Sequence, residues 1–273
     1  MMKTALRTNL RAIWARSYVR IVGANREVSW LFFEIFLPIL SVAAYVYVYR
    51  ALNAPPEYEG YVIVGGAMIA YWMSVLWSMA TQFYWEKEMG NLELFLIAPI
   101  SRVAILLGMA FGGIFMSTIR AVSILVLGIF MFGVQFQIAN WWALIGTFVL
   151  TLTALYGMGM LLASIFLLMG REGWHLSMVL QEPVYLVSGF YFPVKFLGMG
   201  TAFAASVIPL TLGMDAMRQL SFKAAADTGV LPVAWELAAL AVMSVLFMWL
   251  ATKSLERMEH EGRKRGTLSM KWQ

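Results

Sequence analysis

Apolar residues gather in long runs separated by short polar stretches, and six of these runs are long enough to be read as membrane-crossing helices. They cover 31–49, 61–84, 104–133, 142–169, 176–193 and 235–252. A helix needs about 20 predominantly apolar residues to cross ~30 Å of hydrocarbon. The third and fourth runs exceed that, so each is expected to tilt or to project beyond the bilayer. Ahead of the first run, residues 4–26 carry Leu6, Leu10, Ile13, Trp14, Tyr18 and Ile21 at helical steps, with Arg7, Arg11, Arg16 and Arg20 between them. That pattern predicts a basic amphipathic helix suited to the membrane interface; a simple positively charged anchor for the first span is the alternative. Residues 183–221 behave differently. Pro183, Gly189 and Pro193 break a short apolar run, and 194–221 is again apolar but interrupted by Gly198, Gly200, Pro209 and Gly213. Non-helical backbone at membrane depth needs protein or a water-filled cavity around it, so 194–221 is expected to be a re-entrant element on the external face, with a loose seventh span as the alternative. The fold class predicted is all-α integral membrane, one transmembrane domain over 1–273, ending in a polar tail at 253–273.

Composition sharpens this picture. The chain is 61% hydrophobic and 13% charged, where soluble domains carry about a quarter of charged residues. Fifteen Lys and Arg fall in the N-terminal segment, the loops after the second and fourth spans and the tail, against Arg50, Lys195, Arg218 and Lys223 on the other side. The positive-inside rule then places both termini in the cytoplasm. No small-residue cleavage site follows the first apolar run, so a removable signal peptide is not expected. With no cysteine, disulfides, thiolate chemistry and cysteine metal sites are excluded.

Motifs for chemistry are absent. There is no GxxxxGK[ST], HExxH or GxSxG, and His175 and His260 lack metal-ligand spacing. The ionisable residues in or near spans are Glu34, Arg120, Glu182 and Glu236, and intramembrane charges of this kind are functional candidates. Glu34 and Glu182 are read as candidates for lining a translocation path, whereas Glu236, at the start of the last span, reads as a wet interfacial residue. The aromatic residues Tyr45, Tyr49, Tyr71, Trp72, Trp77, Phe190 and Tyr191 fit an interfacial belt, with path lining by Tyr45, Tyr49, Trp72, Trp77, Phe190 and Tyr191 as the other reading. Gly108 and Gly112 form a GxxxG that permits close helix approach, and intramolecular packing is favoured over dimerisation for it.

Two stretches carry a family resemblance. EKEMGNLELFLIAPISRVAILLG, 86–108, is similar to the cytoplasmic segment of type-2 ABC exporter permeases, through Glu86, Lys87, Glu88, Gly90, Asn91, Leu92, Glu93, Pro99, Arg102 and Gly108. Asn91 stands where Thr is usual. LVSGFYFP, 186–193, with IPLTLGMDAMR, 208–218, resembles the family's second signature through Ser188, Gly189, Pro193, Pro209, Leu210, Thr211, Ala216 and Arg218, with Ile208 in place of a common Asn. The resemblance implies that 86–102 holds a coupling helix seated on a separate ATPase subunit present in two copies, with Glu86, Glu88, Gly90, Asn91, Leu92 and Glu93 as contact residues. It further implies an interface helix at 4–26, a second permease copy or relative, and a path nearest spans one, two and five. ATP and Mg would belong to the ATPase, leaving no cofactor, metal site or catalytic residue in this chain, and no nucleic-acid partner. A multi-pass protein of the plasma (inner) membrane is expected, of the branch that exports drugs or lipo-oligosaccharides. A secondary transporter or channel would call for internal repeats or several intramembrane charge pairs, and a lipid-modifying enzyme for a compact acid–base set; the sequence displays neither.

Overall fold

The computed structural model describes residues 2–26, 28–98, 100–169, 171–223 and 225–265. It is helical throughout, with no strand among the described residues. In chain order the helices are α1 (Met2–Asn25), α2 (Val28–Ala51), α3 (Glu57–Met73), α4 (Gln82–Glu88), α5 (Leu92–Ile97), α6 (Arg102–Phe132), α7 (Trp141–Met169), α8 (Arg171–Val187), α9 (Met199–Ala205), α10 (Pro209–Ser221), α11 (Ala225–Thr228) and α12 (Val233–Arg265). Between α3 and α4 the chain keeps winding as a π-helix over Ser74–Ala80, so Glu57–Glu88 forms one long traverse.

Local chemistry sets the boundaries. Ser101 caps α6 by accepting the amide of Ala104 through its hydroxyl, and Asn140 caps α7 by accepting the amides of Trp142 and Ala143. Each satisfies donors that a helix start leaves open. Five traverses are long and apolar enough to cross a bilayer unaided: Phe32–Ala51, Glu57–Glu88, Arg102–Phe132, Trp141–Met169 and Val233–Met258. The fifth span expected at 176–193 is built differently. Its helix α8 has 17 residues and contains Gln181, Glu182 and Pro183, which shorten and polarise it. It still climbs along the Glu57–Glu88 traverse, with Gln181 bonded to Trp77, Tyr185 reaching Met73 and the carbonyl of Phe190 lying on Gly65. The ascent is completed by the non-helical residues 188–193. Beyond them α9 and α10 meet at 115°, a bend that suits either a re-entrant element or a broken span; Ile208 is extended and Pro209 opens α10, where its missing N–H costs nothing.

The interior is centred on Glu57–Glu88, sheathed by α6, α7, α8 and α10, with α12 packed along α7. We call the end bearing α1, α4 and α5 the N-terminal side and the end bearing α10 and α11 the far side.

Candidate functional site

Two clusters, one on each side, hold the segments singled out in the sequence. On the N-terminal side, α1 is packed on α6 with its register advancing alongside. The amide of Ser101 donates to Asn9 at 3.0 Å, the Ser17 hydroxyl donates to the carbonyl of Gly108 at 2.9 Å, and Arg20 lies against Gly112. The two helices therefore run in the same direction over about three turns. A β-carbon at Gly108 would lie 2.8 Å from Arg16 Cβ, and one at Gly112 would lie 3.0 Å from Arg20 Cβ. The GxxxG thus serves packing within the chain. The polarity of α1 is inverted relative to a soluble helix. Asn9, Arg16, Ser17 and Arg20 face the protein, while Leu6, Leu10, Trp14 and Tyr18 form an exposed stripe at steps of four. Arg7 and Arg11 are exposed beside this stripe, so the outer face mixes apolar and basic groups, as suits a helix lying at a membrane interface.

The segment 86–97 hangs from this helix. The buried carboxylate of Glu86 pairs with the Arg16 guanidinium, and accepts from Gln82 at 2.8 Å and from the Asn91 amide at 3.2 Å. The Arg16 guanidinium also stands 5.0 Å from the centre of the Phe95 ring on α5. Glu86, expected to face a partner, is thus turned inward to tie α4 to α1, and exposed Asn91 reaches back to it from the start of α5. The outward features are Met89, Leu94 at 61% exposure and Ile97 at 78%, with Glu88 partly exposed and Gly90 open beside them. The side chains of Leu92 and Glu93 and the whole of Pro99 lie outside the described residues. One turn further along α1, Arg20 donates to the carbonyl of Ser78 in the π-helix at 3.0 Å. Burial pulls its pKa down to about 10, with Arg120 and Arg16 adding repulsion and Tyr156 and Glu34 opposing; it stays cationic at neutral pH.

On the far side the second signature closes on itself. Arg218 is buried and donates to the carbonyls of Phe190 at 2.8 Å, Phe192 at 3.2 Å and Tyr61 at 3.0 Å. A bare carbonyl at this depth is costly, and one guanidinium satisfies three. Gly189 has φ of +68°, and a β-carbon there would meet the Phe192 oxygen at 2.7 Å. Gly189 shapes the turn, Pro193 starts the short 3-10 turn Val194–Leu197, and Arg218 pins both to α3. Buried Ser188 lies at the same bend.

Residues 8–222 match the family model for the ABC-2 type transporter. The chain belongs to this family. No curated protein matches it. An ABC-2 type transporter domain is a multi-pass membrane component of a transporter, and membership implies pairing with an ABC ATPase.

The remaining site residues of this ABC-2 chain divide into two sets. Tyr45 stacks on Tyr191 with ring centres 4.0 Å apart, and Tyr49 donates to the Tyr191 carbonyl at 3.0 Å, so these three form one half-exposed aromatic face between α2 and the α8 exit. Trp77 donates to Gln181 at 2.7 Å, and Gln181 in turn donates to exposed Glu182 at 3.0 Å. Trp72 and Phe190 stand apart from both groups. Each is closed into the core of the protomer, so they face no path in this conformation. Glu34 is paired with Arg120 at 2.9 Å, joining α2 to α6 through compensated charges.

The wet position expected for Glu236 is corrected. It is 0% exposed, packed beside α10 at the turn of Val230 and Leu231. There Gln219 reaches the Glu236 and Asp215 carboxyls, each at 3.3 Å, and donates to the Leu231 carbonyl at 2.8 Å. The amide of Val230 donates to Asp215 at 2.6 Å. Sequence reading passed over Asp215 and Gln219; the available signal was two polar residues one turn apart on a helix otherwise predicted to be embedded.

Proposed function

We propose that this chain is the permease subunit of an ATP-driven exporter, with both termini in the cytoplasm of a cell whose inner membrane it crosses. The observation that carries the reading is α5. It is a short helix outside the spans that exposes Leu94 and Ile97 while its root is anchored through Glu86 to Arg16. An exposed apolar tip on a firmly anchored base, rimmed by charge, suits docking into the cleft of a partner. Two ATPase subunits binding ATP and Mg would act on two such permeases, this chain with a second copy or a relative. Glu88, Gly90 and Leu94 would touch the ATPase, with Leu92 and Glu93 beside them, while Glu86 and Asn91 would position the segment. The half-exposed face of Tyr45, Tyr49 and Tyr191, together with Trp77 and Glu182, would border the path. Flat aromatic rings flanked by one carboxylate suit an amphipathic cargo such as a glycolipid, oligosaccharide, lipid or drug.

The test is affinity purification of tagged chain in mild detergent, followed by reconstitution with the ATPase recovered. Wild type should bring down an ABC ATPase whose turnover responds to cargo. Leu94→Asp should reach the membrane in normal amount yet recover at least about fivefold less ATPase, the loss of one buried apolar anchor at an interface. Recovery of no ATPase from wild type, or equal recovery with Leu94→Asp, overturns the reading.

A further inference from the structure

Between α1 and α4, with α6 behind, lies a half-open cleft of about 290 Å³ lined by Arg16, Val19, Arg20, Gln82, Glu86 and Met109. Its charges do not balance. Five charged groups sit within reach of one another: Arg16, Arg20 and Arg120, against Glu34 and Glu86. Glu86 is taken by Arg16 and Glu34 by Arg120. Arg20 is left with one neutral carbonyl, that of Ser78, and no carboxylate partner among the described residues. A guanidinium so deeply enclosed is held at a cost unless an anion meets it. The walls of the cleft also carry information. Val19 at its mouth is 63% exposed, Met109 is apolar, and the neighbouring stripe of Leu10, Trp14 and Tyr18 presents hydrocarbon outward. A small soluble anion would use the two arginines and leave the apolar mouth bare. A phosphate carrying acyl chains would use both.

We infer that this cleft is a binding site for the phosphate headgroup of an anionic phospholipid, drawn from the leaflet against which α1 lies. The phosphate seats on Arg20 and the free edge of Arg16, within charge-assisted hydrogen-bond reach of both, and the acyl chains run past Val19 along the apolar stripe. Gln82 supplies an amide at the same mouth. Because Arg16 also holds Glu86 at the root of the segment 86–97, an occupied cleft would stiffen α1, α4 and α5 together. The inference concerns this leaflet contact alone, and stands whether or not an ATPase docks on α5.

Native mass spectrometry of the full chain, exchanged into detergent with phosphatidylglycerol or phosphatidylcholine of identical acyl chains, tests it. Wild type should retain phosphatidylglycerol in preference to phosphatidylcholine. Arg20→Gln should lower that affinity about tenfold, the loss of one charge-assisted contact. Arg11→Gln, on an exposed part of the same helix, should leave it unchanged. Glycerol phosphate without acyl chains should compete only weakly. Val19→Glu, a surface change that sets a carboxylate at the mouth, should lower affinity as well and serves should Arg20→Gln fail to fold. Equal losses in Arg20→Gln and Arg11→Gln, equal retention of the two lipids, or competition by glycerol phosphate as strong as by lipid would each overturn the site. The first means diffuse attraction, the second unselective solvation, and the third a free-phosphate pocket.

Discussion

Two charged side chains do much of the work of assembly. Arg218 reaches three carbonyls from two separate segments, so Arg218→Ala takes the guanidinium from the non-helical carbonyls of Phe190 and Phe192 and from the extra contact with Tyr61. The expected loss is about 2–4 kcal/mol, read as a fall in thermal midpoint in detergent, since buried hydrogen bonds to a charged group are worth about 1.5–3 kcal/mol and orphaned partners add to the cost. Arg218→Lys should fall between the two proteins, because a single ammonium cannot replace a fork that reaches three acceptors. Glu86 plays the same part on the N-terminal side. Removing its carboxylate in Glu86→Ala strands the Arg16 guanidinium, and amide hydrogen exchange over 6–20 should rise while exchange within α7 does not. Glu86→Gln, which still accepts hydrogen bonds, should show a smaller rise. The sequence made Arg218 visible through its motif. It left the role of Glu86 misread, because a carboxylate in a charged loop looks the same whether it turns outward to a partner or inward to an arginine seventy positions earlier.

At the level of elements, one contact leaves no room for a methyl group. A β-carbon on Gly65 would stand 1.6 Å from the Phe190 carbonyl oxygen, so Gly65→Ala must push the α8 exit off α3. That oxygen is the one Arg218 holds at 2.8 Å, and the variant should therefore unfold at least as easily as Arg218→Ala; a thermal midpoint equal to wild type would refute this account. The same-direction packing of α1 on α6 can be tested with little preparation, because the chain has no cysteine to remove. Asn9→Cys with Ser101→Cys should cross-link in native membranes, whereas Asn9→Cys with Gly112→Cys should not. Amphipathic spacing made α1 legible as a helix, but not its seat. Periodicity reports which residues share a face, and says nothing of whether that face meets water, lipid or protein. The inverted placement of Arg16 and Arg20 follows from α6, whose paired glycines offer the groove.

For the whole molecule, the apolar runs were enough to mark the five long traverses found among the described residues, since run length is set by bilayer thickness. The exception is α8, where polar residues blur the run and the crossing ends in a turn held by a distant arginine. Tertiary contacts of that kind, like the packing that buries Glu236, leave no periodic trace. The traverses bring the start of α1 and the end of α12 to the same side. Single cysteines at Thr4 and His260 should accordingly react with a membrane-impermeant maleimide only after the same face of a sealed vesicle is opened. Labelling of one from each face would refute the order of passes. As for the candidate site, the segments 86–108 and 186–218 could be singled out because the motifs within them are continuous in sequence. The aromatic face was readable only in part: Tyr45, Tyr49 and Tyr191 converge, but Trp72 and Phe190 were drawn into the core by neighbours remote along the chain.

The seat of α1 also bears on how the protein is made. Its groove is cut by Gly108 and Gly112, which leave the ribosome roughly a hundred residues after Arg16 and Arg20 have done so. The π-helix carbonyl and Glu86 follow those arginines by 58 and 70 positions and so emerge before the groove does, while an apolar stripe faces outward from α1. The first helix synthesised is therefore seated with a delay, only once α6 has been made, yet before the later helices from Trp141 onward exist.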